Sequence, residues 1–241
     1  MFPVPDRIYS PELLDSPDDC SGHDELAGSL ADIRVVNRYL GGVSASLRHM
    51  DELASYVTWL SSGEPLRVLD VATGSADIPV EMVEWAKGRG IKISITAVDI
   101  SRSIVEHARL LAAGYHEISF VVADGLRLPF ADGAFDVVHC SLALHHFRED
   151  DARVLLSEIA RTAGHGFIVC DLRRSWVAYG LIYVLTRFLT DNRMTRNDGP
   201  VSVLRAFTGR ELAVLASGAG LEDFRVVHHP FWRMALVGRG I

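Results

Sequence analysis

The sequence predicts an α/β protein built on a mostly parallel, seven-stranded sheet with helices on both faces. Three observations carry this. From Arg67 onward, apolar strand-like runs alternate with helical ones, the pattern of repeated βα units. The first run, Val68-Leu69-Asp70-Val71, breaks into a turn of small residues, Ala72-Thr73-Gly74-Ser75-Ala76, before a helix start. A second run ends on Asp99, about 25 residues past Gly74, the βαβ spacing at which a carboxylate reaches a ribose.

The elements follow in order. Residues Met1 to His23 read as a loose arm, because proline at positions 3, 5, 11 and 17 blocks regular pairing. Asp24 to Leu40 places Leu26, Leu30, Ile33, Val36 and Leu40 on one helical face and stops at Gly41-Gly42, a helix C-terminal signal. Ser44 to Leu60 reads as a second helix, broken by Ser61-Ser62-Gly63-Glu64-Pro65. Strands are expected at Arg67–Val71, Ser94–Asp99, Ile118–Ala123, Phe135–Cys140 and Gly166–Asp171, with helices at Ile78–Arg89, Ser103–Ala113 and Asp150–Thr162. An apolar helix, Trp176–Leu189, comes next, then a polar loop, Thr190–Pro200, and a helix at Gly209–Gly218. Phe224–His229 and Arg233–Gly238 read as an antiparallel hairpin closing the sheet edge. The division expected is an arm and helical lid over 1–63 and an α/β domain over 64–241, with a helical insertion near 174–205.

Composition narrows the function classes. The 241 residues suit one α/β domain with a small appendage, and 49% hydrophobic content supplies a sizeable core. A net charge of −7, with no basic cluster beyond Arg173-Arg174, argues against a nucleic-acid partner. Three widely spaced cysteines, Cys20, Cys140 and Cys170, suit a reducing compartment, and the latter two fall in apolar strand patterns. The N-terminus lacks the basic and apolar regions of a signal peptide. The longest apolar run, Trp176 to Leu189, is shorter than the ~20 residues a spanning helix needs. The expectation is a soluble, cytoplasmic protein without an integral membrane segment.

In an open parallel sheet, ligands sit beyond the strand C-termini. Gly74 lets the backbone approach such a ligand, Asp99 can accept from ribose hydroxyls, and Asp124, ending the third strand, from an adenine amino group. Gly125-Leu126 offer backbone amides beside it. A carboxylate at one strand end is often just solvated; three at successive ends, Asp70, Asp99 and Asp124, point to an adenosine-containing cofactor.

These residues carry a resemblance. Val68–Asp77, Val98-Asp99-Ile100, Ala123-Asp124-Gly125 and Leu128-Pro129-Phe130-Ala131-Asp132-Gly133-Ala134-Phe135-Asp136-Val137-Val138 resemble the class I S-adenosylmethionine-dependent methyltransferases, over about half the chain. The resemblance implies a Rossmann-like fold, S-adenosyl-L-methionine as cofactor and S-adenosyl-L-homocysteine as product. Dinucleotide oxidoreductases fit less well, since their G-x-G-x-x-G turn is replaced here by A-x-G-x-A. The commoner methyltransferase turn, G-x-G-x-G, differs too, at Ala72 and Ala76; an alanine costs little there if φ is negative and more if it is not. Leu30 to Gly42, with Asp198-Gly199-Pro200-Val201-Ser202, resembles bacterial methyltransferases of aromatic polyketide and quinone pathways, small-molecule O-methyltransferases among them. By that resemblance Asn37, Arg38 and Gly41 fold over the cofactor; a plain capped helix is the alternative. The cofactor set is then Arg38, Gly41, Asp70, Ala72, Thr73, Gly74, Asp99, Ile100, Asp124, Gly125, Leu126 and Ser141.

Methyl transfer needs alignment, desolvation and, for a phenol, a base matched to neutral pH. His145 and His146 follow the fourth strand and Asp171 ends the fifth, so a histidine base oriented by Asp171 is expected, with a histidine that merely braces the loop as the alternative. Arg173 is placed to hold a phenolate, and Trp176, Tyr179 and Tyr183 to roof an aromatic pocket; a solvated helix start and a core or homodimer helix are the plainer readings. His228-His229 are read as structural. No metal is expected: the carboxylate and Asp-Asn pair of catechol-type enzymes are replaced by Ser141 and Asp171-Leu172. The reaction expected is methyl transfer to a small aromatic phenol or quinol, at oxygen, in secondary metabolism. C-methylation of a quinone precursor and a non-catalytic cofactor-binding protein are the rivals.

Overall fold

The apolar runs form seven strands: β1 Leu66–Val71, β2 Ile93–Asp99, β3 Ile118–Val122, β4 Phe135–Ser141, β5 Ala163–Leu172, β6 Phe224–His229 and β7 Arg233–Gly238. The computed structural model describes residues 4–15, 23–55 and 63–240. Cys20 and the predicted end of the second helix, 56–60, lie outside the described residues. The sheet order is β3-β2-β1-β4-β5-β7-β6. β1 to β5 run parallel, and β7 inserts antiparallel between β5 and β6. The order reverses between β1 and β4, which opens a crevice beyond their C-terminal ends.

Among the described residues, eight helices surround the sheet: α1 His23–Tyr39, α2 Gly42–Ala54, α3 Asp77–Arg89, α4 Arg102–Leu111, α5 Glu149–Thr162, α6 Trp176–Leu189, α7 Arg193–Arg205 and α8 Gly209–Gly218. Alternation along each strand divides the core in two. Leu69, Val71, Val138 and Phe167 pack under α5 and α8, with Leu155, Leu156 and Leu212. Val68, Ile95, Val137 and Ile168 pack under α2 and α3, with Met50, Met82 and Trp85. Local chemistry sets the helix ends. Ser101 caps α4 through its hydroxyl, and Thr208 and Glu211 form a reciprocal capping box on α8. Gly41, at φ +84°, makes the sharp passage from α1 into α2.

Two expectations are corrected. The segment Thr190–Pro200 is not a loop, because α7 begins at Arg193. Asn192 caps it by accepting from the Thr195 amide at 3.0 Å. Pro200, inside the helix, cannot donate to the Arg196 carbonyl, and the Arg187 guanidinium of α6 donates there instead at 3.0 Å. Nor is the arm loose where described. Leu13–Asp15 form a 3₁₀ turn, and the Leu13 and Leu14 amides donate to the Asp198 carboxylate at 2.8 and 3.0 Å. The Arg7 guanidinium stacks 3.8 Å over the Phe207 ring and donates to the carbonyls of Arg205 and Phe147. Long-range hydrogen bonds hold what proline keeps out of regular structure.

Candidate active site

The crevice at the β1/β4 reversal widens into a cavity of about 860 Å³ that runs under α1, α6 and α7. At one end lie the strand-end acids. Asp99 is buried and accepts from the Gly74 and Ser101 amides, both at 3.1 Å, which fixes its carboxylate. Burial raises its pKa, against the pull of those amides. Asp124 is exposed and accepts from the Leu126 amide at 2.9 Å with one oxygen. Ile100, Gly125 and Leu126 line the same end, and a Cβ on Gly125 would press on Leu155 and Val71.

The small-residue turn forms the floor. Gly74 takes φ +55°, and a Cβ there would meet nothing within 4 Å. Ala72 and Ala76 are also left-handed, at φ +55° and +58°, so both carry the backbone cost that negative φ would have spared. Ala72 lines the cavity, whereas Ala76 is fully buried beneath it at the start of α3. The Ala76 methyl therefore takes no space from a ligand. Leu142, Phe231 and Trp232 are left-handed as well and line the same cavity.

Beneath the floor, Asp70 reaches two ways. It lines the cavity, and its carboxylate holds His139 Nδ1 at 2.6 Å. His139 Nε2 lies 2.9 Å from the Ser46 hydroxyl of α2. Burial opposes a charge on His139, but the Asp70 hydrogen bond and charge outweigh it and lift the imidazole to about 9. Beside the turn, Asn37 is buried and bonds Asp77 at 3.0 Å and Arg233 at 3.3 Å. Arg233 is 1% exposed.

The opposite wall gathers distant residues. His145 Nδ1 is held by Asp171 at 2.7 Å, as the sequence suggests, and Asp171 also accepts the His145 amide at 2.9 Å. Burial opposes ionisation of Asp171, but His145 outweighs it and holds the carboxyl below its usual value. His146 Nδ1 is held by Asp15 at 2.5 Å. Arg205 and His146 likewise keep Asp15 low despite its burial. Glu12, 5% exposed, turns toward both histidines, with Oε1 3.6 Å from His145 Nε2 and Oε2 3.9 Å from His146 Nε2. Ser202 anchors Glu12 Oε2 at 2.7 Å, and burial pushes Glu12 up to about 7.

The remaining predicted site residues divide. Thr73, Ser141 and Arg173 line the cavity, and Arg173 lies 3.2 Å from His228. Asp171 stands behind His145, off the surface. Arg38 does not reach the cavity: it is exposed, 4.0 Å from Glu81. Gly41 is absent from the lining too and serves the chain reversal. Trp176, Tyr179 and Tyr183 also fail to line it, because α6 turns Ala178, Ile182 and Leu185 inward, with the exposed Leu181 at the rim, and Trp176 and Tyr183 outward. The roof is aliphatic. Glu12, Asp15 and Arg233 line the cavity as well, and no motif marks them. Arg233 leaves a trace, a charge opening an apolar strand; Glu12 leaves none.

Four buried side-chain atoms without a hydrogen-bond partner are found among the described residues: Glu12 Oε1, Thr73 Oγ1, Ser141 Oγ and Arg233 Nη1. All four residues line this cavity. A buried guanidinium nitrogen suits a carboxylate, two hydroxyls and an open glycine suit a polar chain close to the backbone, and Asp99 suits a diol. That donor and acceptor set fits S-adenosylmethionine, an amino acid joined to a nucleoside.

Comparison with known proteins agrees. A family model described as a methyltransferase domain matches residues 68–166. The ubiquinone/menaquinone biosynthesis C-methyltransferase UbiE of Rickettsia prowazekii is 31% identical over 129 residues, covering 52% of this chain and 51% of that protein. UbiE of Desulfotalea psychrophila is 29% identical over 184 residues, 71% of each. The chain spans about half the length, or less, of several curated relatives that it matches. Among solved structures, human N-acetylserotonin methyltransferase in complex with S-adenosylmethionine superposes with a TM-score of 0.63 at 17% identity, over 91% of this chain and 56% of that one. A methyltransferase from Aquifex aeolicus does so at 0.53 and 17%, over 73% and 82%. Residues 68–166 match a methyltransferase domain, and the seven-stranded sheet has the fold of class I S-adenosylmethionine-dependent methyltransferases.

Proposed function

We propose that the chain is an S-adenosylmethionine-dependent methyltransferase that acts on a small, apolar aromatic acceptor carrying a phenol or quinol hydroxyl, with transfer to oxygen. One observation carries the reading: a single cavity joins the strand-end acids to an apolar chamber whose wall bears Glu12, His145 and His146. Asp99 and the Gly125-Leu126 turn would hold the nucleoside, and Arg233 the amino-acid carboxylate. When bound, S-adenosylmethionine supplies an electrophilic methyl carbon.

The chain's own residues do the rest. Ile182 and Leu185 of α6 and Val203 of α7 exclude water and favour a flat apolar body. Asp171 orients His145 and Asp15 orients His146, so each presents Nε2 to the acceptor's hydroxyl. Holding that hydroxyl and its proton there raises the electron density on oxygen at the point of transfer. Arg173 stands on the same cavity wall, placed to attract a phenolate.

C-methylation is the second reading, favoured by the names of the UbiE relatives. An ionised hydroxyl also activates its neighbouring ring carbon, so the same wall serves both. The test is calorimetric titration with S-adenosylmethionine, with NAD as control, followed by incubation with phenols and quinols and location of the new methyl by mass spectrometry. The expected result is micromolar cofactor binding and an O-methyl product. A ring-carbon methyl replaces the first reading by the second. Near-native turnover in both His145→Ala and His146→Ala removes the role given to the histidines.

A further inference from the structure

We infer that Glu12, His145 and His146 form a binding site for a divalent transition-metal cation at the acceptor end of the cavity. Each offers one ligand atom, and the three atoms lie within 4.8 Å of one another. Glu12 stands 3.6 and 3.9 Å from the two Nε2 atoms. A cation with bonds of about 2.1 Å places neighbouring ligands about 3.0–3.4 Å apart, so the ligand atoms, now within 4.8 Å of one another, close on it by side-chain shifts of about 1.5 Å or less.

The hydrogen bonds behind the histidines select which atoms face inward. Asp171 accepts from the His145 and Leu172 amides as well as from His145 Nδ1. Asp15 accepts from Arg205 and the Glu12 amide as well as from His146 Nδ1. Carboxylates so supplied with donors accept and do not donate, so each imidazole donates from Nδ1 and turns Nε2 toward Glu12. The two rings lie side by side, 4.3 Å between centroids. Two Nε2 atoms and a carboxyl group thus converge on one point, an arrangement that a cation stabilises. Carboxylate-backed histidines are the outer-shell device of metal centres.

Glu12 supplies the independent observation. It is 5% exposed, and its Oε1 is buried with no hydrogen-bond partner. The nearby cation, Arg205, lies 3.6 Å away and donates instead to Asp15 at 2.6 Å. Four carboxylates, Glu12, Asp15, Asp171 and Asp198, surround the cluster, and Arg205 offsets one of them. Two imidazoles and one carboxylate suit zinc, manganese or ferrous iron rather than calcium. Because all three ligands line the cavity, the remaining coordination positions face the chamber. The acceptor's hydroxyl oxygen would occupy one of them, in place of a direct hydrogen bond to Nε2. That role rests on the methyl-transfer reading; the site itself does not.

The test is titration of the chelator-treated full-length chain with Co²⁺ alone, followed by its visible absorption and by calorimetry. One equivalent is expected to bind, with a nitrogen- and oxygen-ligated spectrum that Zn²⁺ abolishes. Glu12→Gln and His146→Ala should each weaken binding by roughly 10- to 100-fold or more. The second histidine cluster, His49 and His229 with Nε2 atoms 2.9 Å apart, is the control: His49→Ala should leave binding unchanged. Absence of stoichiometric binding overturns the proposal, as does binding that survives in Glu12→Gln and His146→Ala or is lost in His49→Ala. Cooperative thermal unfolding and S-adenosylmethionine titration of each variant separate a misfolded protein from a lost site. Cofactor binding without Co²⁺ binding overturns the metal site alone; Co²⁺ binding without cofactor binding supports it and overturns the methyltransferase reading.

Discussion

Two alanines occupy backbone conformations that alanine resists. At φ +55° and +58°, Ala72 and Ala76 crowd their own Cβ against the backbone, at a cost of roughly 1–2 kcal/mol each. Ala76 is buried away from the cavity, so the cost falls on folding and not on the ligand. Ala76→Gly should therefore raise the unfolding free energy by about 1 kcal/mol and the midpoint by about 2–4 °C, with cofactor affinity unchanged. Urea unfolding and calorimetry check both, and a destabilised variant would show that the Ala76 methyl packs for more than its backbone costs. His139 makes a prediction with a sign. Its pKa is raised in the folded state to about 9, from an ordinary 6.5, so the charged pair with Asp70 stabilises fully below pH 6.5. That contribution, about 3 kcal/mol, is lost as pH rises from 6.5 through 9. Unfolding followed across that range should decline in the native protein and be flatter in His139→Gln; equal slopes would remove the pair from the balance.

At the scale of elements, α6 separates what a sequence pattern states from what packing decides. Its bounds, Trp176–Leu189, are legible because Ser175 caps it and its run is apolar but for Thr186 and Arg187. Its inward face is not legible for the same reason: an apolar helix carries no stripe to say which side packs. The aromatics Trp176 and Tyr183 are half exposed, and Ile182 and Leu185 meet the cavity. Ile182→Phe should raise KM for the acceptor several-fold, with cofactor affinity unchanged, while Tyr183→Ala should leave KM within about twofold. Steady-state kinetics on one acceptor decides, and the reverse pattern would place the aromatic side on the substrate. The strands were readable to within three residues at each end, since alternation and the strand-end acids are local signals. α7 was hidden because its two supports, the Asn192 cap and the Arg187 donor to the Arg196 carbonyl, counteract the proline that argues for a loop.

At the scale of the whole molecule, the end of the cavity proposed for the cofactor comes from consecutive βα turns, whereas the end proposed for the acceptor is assembled from segments far apart in the chain. Asp70, Gly74, Asp99 and Asp124 were legible because each sits at a strand end. Glu12 reaches His145 and His146 across more than 130 residues of sequence, and no local pattern marks that meeting. The tie is made by the arm. Arg7, nearly buried, donates to the carbonyls of His145, Phe147 and Arg205 and to the Glu149 carboxylate. Asp198 accepts the Leu13 and Leu14 amides, and the Ser202 hydroxyl donates to Glu12. Charge-assisted bonds of this kind hold position more than they add global stability, because the sheet and its two cores do not depend on them. Arg7→Ala should consequently leave cooperative unfolding and cofactor affinity close to native. It should lower kcat/KM for the acceptor by about 10- to 100-fold, the scale of an ångström-level misplacement of reacting groups. Hydrogen exchange should quicken at the amides of His145 to Phe147 and not at those of Gly74 or Ser101, which are held by Asp99 at the other end. Unchanged turnover, or exchange that quickens equally at both ends, would show that the arm is a passenger and that the histidine wall is set by α7 and β5 alone.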